Sequence, residues 1–176
     1  MPSKSRGKTK SVPKLNAKHL PLITIFVVLI IAVVLALVFG GSGSSKKQTV
    51  QNCGPYRNDR LVKINGFTFK AEAPNNQAAF DKGLGGRSCI LPDEAMIFPF
   101  KSPGQYAFWM KGMKFPIDIL WISSNHIIIA EQVNLQPSSY PKKYANPTNL
   151  PAQYVLEIKA NRTKELKIAP GAIAQF

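Results

Sequence analysis

The sequence predicts an α+β domain, mainly β, with a strongly bent or barrel-like sheet and two short helices, preceded by one transmembrane helix. Three observations predict it. Residues 20–39 form an unbroken apolar run, which a single helix can carry across a bilayer. After residue 60, short runs rich in β-branched and aromatic residues recur between Gly, Pro, Asn and Ser punctuation. Helical patterning there is confined to two short stretches, so the strands carry the fold.

Residues 1–19 are a basic tail bearing Lys4, Arg6, Lys8, Lys10, Lys14 and Lys18 without an acid. The run that follows, LPLITIFVVLIIAVVLALVF, has no polar face, unlike a core helix. At 1.5 Å rise per residue it spans roughly 30 Å, the thickness of a hydrocarbon core. A cleavable signal peptide is the alternative, but its apolar region normally runs about 7–15 residues. The positive-inside rule keeps the tail in the cytoplasm and exports the rest, placing the protein as single-pass in a cytoplasmic membrane. Much of the net charge of +14 therefore sets topology and meets anionic lipid, and no nucleic-acid partner is expected. Residues 40–52, GGSGSSKKQTVQN, read as a flexible tether.

Residues 53–176 suffice for one modest core. Asn65-Gly66 between LVKI and FTFKAEA signals a hairpin with a type I′ turn. Asn75 or Asn76 caps a short helix through AAFDKGL, ended by Gly85-Gly86. Strands are expected at AMIFPF, QYAFWMK, PIDILWIS, HIIIAEQV and YVLEIKA, with turns at Ser102–Gly104, Lys111–Pro116 and Ser123–Asn125. A last helical turn covers Thr163 to Ile168, and a terminal strand follows Pro170-Gly171. From Leu135 to Pro151 the chain shows no regular pattern; it is either a functional loop or a plain crossover.

Chemistry is sparse. The only cysteines, Cys53 and Cys89, both lie on the exported side, where an oxidising compartment permits one disulfide; two independent thiols are the alternative. Of the two histidines, His19 flanks the apolar run and His126 opens the strand HIIIA, so no Ser-His or Cys-His pair stands out. No metal-ligand spacing, phosphate loop or dinucleotide fingerprint appears, and neither a metal nor a cofactor is expected.

The stretches KGLGGR (Lys82–Arg87), LPDEAMIFPF (Leu91–Phe100), FWMKGMKFPIDILWI (Phe108–Ile122) and PAQYVLEIKA (Pro151–Ala160) strongly resemble the DUF192 family (domain of unknown function 192) over residues 61–176. The family pattern runs Gly-Leu-x-x-Arg, Leu-Pro, Gly-Met-Leu-Phe, Phe-Trp-Met-Lys-Asn, Pro-Ile-Asp and Tyr-x-Leu-Glu. Three positions depart from it: Ala95 stands where Gly is usual, Gly112-Met113 replaces Asn-Thr, and Lys159-Ala160-Asn161 lacks a glycine. The resemblance implies a small, largely β domain, often exported or anchored, and brings no reaction with it.

Function must therefore be argued from residues. Gly83, Gly85 and Gly86 next to Arg87 suggest a tight turn that aims the guanidinium, either at an anionic ligand or at Asp93 or Asp118. By alternation Asp118 shares a face with Leu120, inward and partly buried, with Arg87 or Lys111 as the expected partner. Along FWMK, Phe108 and Met110 share one face, Trp109 and Lys111 the other. With Met96, Met113, Phe115 and Trp121 they make either a core or an aromatic groove for a sugar, peptide or small amphiphile, rimmed by Lys111 and walled by Tyr140 and Tyr144. The reading adopted is a binding module for an envelope component, small ligand or partner protein. The alternative is an enzyme on envelope polymers, with Asp93, Asp118 or Glu157 as acid or base and Arg87 as stabiliser.

Overall fold

The computed structural model describes residues 25–31 and 52–176, and the chain divides into two units, Met1–Thr49 and Val50–Phe176. In the first, residues 25–31 are helical and their apolar side chains are exposed. The rest of segment 20–39, the basic tail 1–19 and the tether up to residue 51 lie outside the described residues. No helix among the described residues is long and apolar enough to cross a membrane.

The second unit is built on β1 (Arg60–Ile64), β2 (Phe67–Glu72), β3 (Glu94–Gly104), β4 (Ala107–Trp109), β5 (Ile117–Ile122), β6 (Ile128–Leu135), β7 (Lys143–Ala145), β8 (Ala152–Lys159) and β9 (Ala174–Gln175). Helices α1 (Gln77–Lys82) and α2 (Arg162–Glu165) and a 3-10 turn at Pro137–Ser139 are short. Seven strands form one sheet in the order β6-β5-β8-β3-β2-β1-β9, while β4 and β7 pair as a separate ribbon. Only β2 and β3 run parallel, because α1 lies between them as a crossover; the other pairings are antiparallel.

The sheet curls into a half-barrel whose edges touch at one end. Ile127 bridges Ile173; Ile128 donates its N–H to Ala172, Gly171 to Ile128, and Ala174 to His126, at 2.8–2.9 Å. His126 sits at this seam with φ 60°, its ring stacked on Phe176 at 4.2 Å.

Alternation along the strands feeds two cores. Val62, Ile64, Phe69, Ile97, Leu120 and Ile158 point into the curl. Met96, Phe98, Ile117, Ile119, Trp121 and Val155 point outward, where Leu84, Ile90 and Met110 cover them. Strand β5 is thus buried throughout, matching its unbroken run IDILWI, whereas β1 alternates and leaves Leu61 exposed. Each such large side chain contributes about 1.5–3 kcal/mol by leaving water.

Local signals mostly hold. Asn65 and Gly66 both have positive φ, as a type I′ turn requires. The Asn76 side chain caps α1 by accepting from the Ala79 N–H at 2.8 Å, and the helix ends earlier than expected, at Gly83. Three expectations fail. Strand β3 continues through Ser102–Gly104, with an irregularity in its register against β8 rather than a chain-reversing turn, and the strand expected at residues 105–111 shrinks to β4. The stretch from Leu135 to Pro151 is structured: it carries the 3-10 turn and β7. Buried Asn146 pins it, accepting from the Tyr106 N–H at 2.9 Å and donating to the carbonyls of Gly104 and Leu150. A lone amide in a proline-rich sequence carries no periodicity to betray that role.

Asp118 points inward, as alternation suggested, but it is fully rather than partly buried and its partners are not cations. Its carboxylate accepts from the backbone N–H groups of Asn134, Asn161 and Thr163 at 2.7–2.9 Å. It thereby supplies the cap that Asn161, with no side-chain bond of its own, fails to give α2. The cysteines form the Cys53–Cys89 disulfide. Behind it, the Tyr56 hydroxyl accepts from the N–H groups of Glu72 and Ala95 and donates to the Lys70 carbonyl, strapping the start of the domain onto β2 and β3.

An Asp118→Ala variant removes the shared acceptor of three backbone N–H groups and should lose about 3–5 kcal/mol of stability. Denaturant unfolding checks this, and Asp118→Asn, which keeps one acceptor oxygen, should lose less.

Candidate functional site

The cover over the outer core is incomplete, and the gap is a cleft of ≈ 440 Å³ between α1, the loop after it, β3, β8 and the β4–β7 ribbon. Its walls are aromatic. Phe80 meets Phe98 and Phe100 edge to face at 5.3 and 5.4 Å, Phe98 meets Phe108 at 5.0 Å, and Tyr106 stacks on Phe100. Lys82 and Asp81 from α1, Lys111 after β4 and Lys143 on β7 line its exposed margin. The Lys111 and Lys143 ammonium groups lie 5.3 and 5.4 Å from the Trp109 ring centroid, so one indole holds two cations at the mouth.

Glu157 is the floor. It projects outward from β8, is 4% exposed, and its Oε2 has no hydrogen-bond partner. A side chain at Gly83 would meet that oxygen at 3.4 Å, so the glycine leaves the carboxyl its space. Burial pushes the Glu157 carboxyl up to about 7, against the opposite pulls of the Leu84 N–H and the Arg87 charge. The loop over it is fixed at Gly85, where a Cβ would lie 2.8 Å from the Lys82 carbonyl and 3.1 Å from that of Lys111. Gly86 donates its N–H to Gly112, so the position that departs from the family pattern serves through its backbone.

The other expected residues scatter. Arg87 does not reach Asp93 or Asp118; it pairs with Glu72 at 2.7 Å, and Glu72 also holds Arg57 at 3.0 Å. Asp93 pairs with Lys70 at 3.0 Å. Met96 lies in the outer core and lines a smaller cavity of ≈ 190 Å³ that also contains Glu72, Gly83 and Arg87. Tyr140 packs edge to face on Trp109 at 5.7 Å, and Tyr144 packs into the outer core, so neither walls the cleft; Lys143 between them lines it instead. Met113 lines the cleft, whereas Trp121 is buried and donates its indole N–H to the Tyr106 carbonyl. Of the carboxylates proposed for catalysis, only Glu157 lies in the cleft. The residues that sequence reasoning missed are Phe80, Asp81, Lys82, Phe98, Glu72 and Lys143. For Lys143 the sequence carried no signal, since KKYA shows no alternation and sits in an apparent loop.

The family model that matches spans residues 60–176 and is described as DUF192, Uncharacterized ACR. The chain belongs to the DUF192 family. Among solved structures it is similar to a protein of Sinorhizobium meliloti 1021 described as a candidate transcription regulator. The identity is 27% and the TM-score 0.61, covering 69% of this chain and 97% of that one. It is also similar to a protein of unknown function from Novosphingobium aromaticivorans DSM 12444, at 27% identity and TM-score 0.59, covering 66% of this chain and 84% of the other. No curated protein matches the sequence significantly.

The raised Glu157 pKa has a consequence for stability. In the unfolded chain the carboxyl ionises near its ordinary value of 4.5, in the folded chain near 7. Its contribution is therefore fully present below the unfolded value and is lost as pH rises through about 7. Glu157→Gln should stabilise the domain at pH 8 by up to about 3 kcal/mol and change little at pH 4. Denaturant unfolding of both proteins across this range measures it.

Proposed function

We propose that the DUF192 domain is a binding module whose cleft takes a small ligand, and that it works outside a membrane to which its N-terminus is anchored. The observation that carries the binding reading is the buried, unpartnered Oε2 of Glu157 at the floor of an aromatic cleft. A buried polar atom without a partner costs about 1–3 kcal/mol, which a ligand hydroxyl or amide would recover. The cleft volume also falls within the usual range for small-molecule sites. Anchoring is supported by the apolar run 20–39, by the basic tail before it, and by a disulfide suited to an oxidising compartment. The partners proposed are the membrane and an envelope component, small ligand or membrane protein, rather than nucleic acid.

The second reading is an enzyme, favoured by one observation: a carboxyl held near neutral pKa in an open cleft is suited to general acid–base work. Glu157 would act with Asp81, the other carboxylate lining the cleft, in place of Asp93 and Asp118, which are engaged elsewhere.

Native mass spectrometry of the full chain, extracted gently in detergent, should show a retained small molecule. The double variant Trp109→Ala, Lys111→Ala should lose it, with affinity falling at least about tenfold. A clean apo mass together with unchanged partner capture by the variant would refute the cleft as the binding site. For anchoring, external protease on intact cells should degrade residues 52–176 while a tag at the N-terminus stays protected; a fully protected domain would refute the exported orientation.

A further inference from the structure

Resting on the binding reading, we propose that the cleft recognises an anionic sugar: a hydroxylated ring whose carboxylate or phosphate sits between Lys111 and Lys143 and whose far hydroxyl reaches Glu157.

The charge at the mouth points to an anion. Lys111 and Lys143 come from different elements, yet both ammonium groups converge on Trp109, at 5.3 and 5.4 Å. Neither forms a salt bridge among the described residues, whereas Arg57, Lys70, Arg87 and Arg162 each find a carboxylate. Asp81 lines the same margin but pairs with neither lysine, so an anion placed there gains from both charges. Lys82 adds a third positive charge to the same margin.

The interior points to a hydroxylated ring rather than to an acyl chain. An acyl chain wants an apolar end to its pocket; this cleft ends on a carboxyl whose Oε2 is unpartnered. A pyranose ring has apolar C–H faces that pack against aromatic side chains and hydroxyl edges that reach charged heads, and both line this cleft. Asp81 and Glu157 then accept from its hydroxyl groups.

The site would also be pH-sensitive. Below about 7 the Glu157 carboxyl is neutral and can donate to the ligand; above it the carboxylate adds a negative charge to a site built for an anion. The charges facing Glu157 are Asp81 and Lys82 on α1, Arg87 (itself paired with Glu72) on the following loop, Lys111 after β4 and Lys143 on β7. Among them Glu157 is the group that burial pushes up to about 7, inside the range of the test.

The test is an NMR titration of the full chain in detergent with glucuronate, glucose 6-phosphate and glucose, read at the Trp109 indole N–H, with the buried Trp121 indole as internal reference. At pH 5.5 at least one of the anionic sugars should bind about tenfold or more tighter than glucose. Whichever anion binds tighter assigns the natural group as carboxylate or phosphate. Binding should weaken at least about tenfold by pH 8, Glu157→Gln should abolish that dependence, and Lys111→Gln with Lys143→Gln should abolish the preference for anions. Equal binding of glucose and both anions, or an intact preference in the double lysine variant, overturns the proposal. If no sugar moves the Trp109 signal while native mass spectrometry still shows a cleft-dependent ligand, the sugar is refuted and the binding module stands. If neither experiment shows a ligand, both fall.

Discussion

Strand β8 is paired on both sides, with β5 and β3, and is buried on both faces from Val155 to Ile158. A strand so placed must be covered twice, once by the curl of its own sheet and once by something laid over the outside. The inner cover is economical, because the seven strands wrap until β6 and β9 touch. The outer cover has to come from α1, the glycine loop and the β4–β7 ribbon, three pieces too small to close over Glu157. The cleft is what remains of the outer face where those pieces fall short, and its floor is polar because one outward position of β8 carries an acid.

The same constraint explains why the anchoring carboxylate and the cleft carboxylate behave differently. Asp118 on β5 points into the curl, where three backbone N–H groups converge on it and no solvent or ligand can compete. Glu157 on β8 points the other way, beside a glycine and a cluster of phenylalanines, with one oxygen unengaged. Both are single acids in otherwise apolar strands. Only the face that each occupies separates a structural pin from a candidate ligand group.

That distinction was half legible in the sequence. Alternation placed Asp118 inward and Trp109 with Lys111 on the opposite face from Phe108 and Met110, and all of this holds, because period-two patterning is local. Asn65-Gly66, the Asn76 cap and the single cysteine pair were readable for the same reason. What could not be read was which acid meets which base. Arg87 chose Glu72, fifteen residues upstream, over Asp93 and Asp118, because parallel pairing of β2 with β3 sets Glu72 opposite Met96. Likewise Lys143 reaches the cleft only because Asn146 folds a proline-rich stretch back onto the β3–β4 corner, a long-range bond with no sequence signature.

The disulfide determines how the domain carries load. A pull along the chain upstream of Cys53 would otherwise strip Tyr56 from β2 and β3 and then β1 from its neighbours, one bond at a time. With Cys53 joined to Cys89, tension bypasses those bonds and enters at the segment between Arg87 and Ile90, which adjoins the glycine loop over Glu157. The mechanical entry point of the domain therefore lies a few residues from Gly83 and Leu84 in the cleft wall, and a pull on the chain before Cys53 is passed to them through the glycine loop.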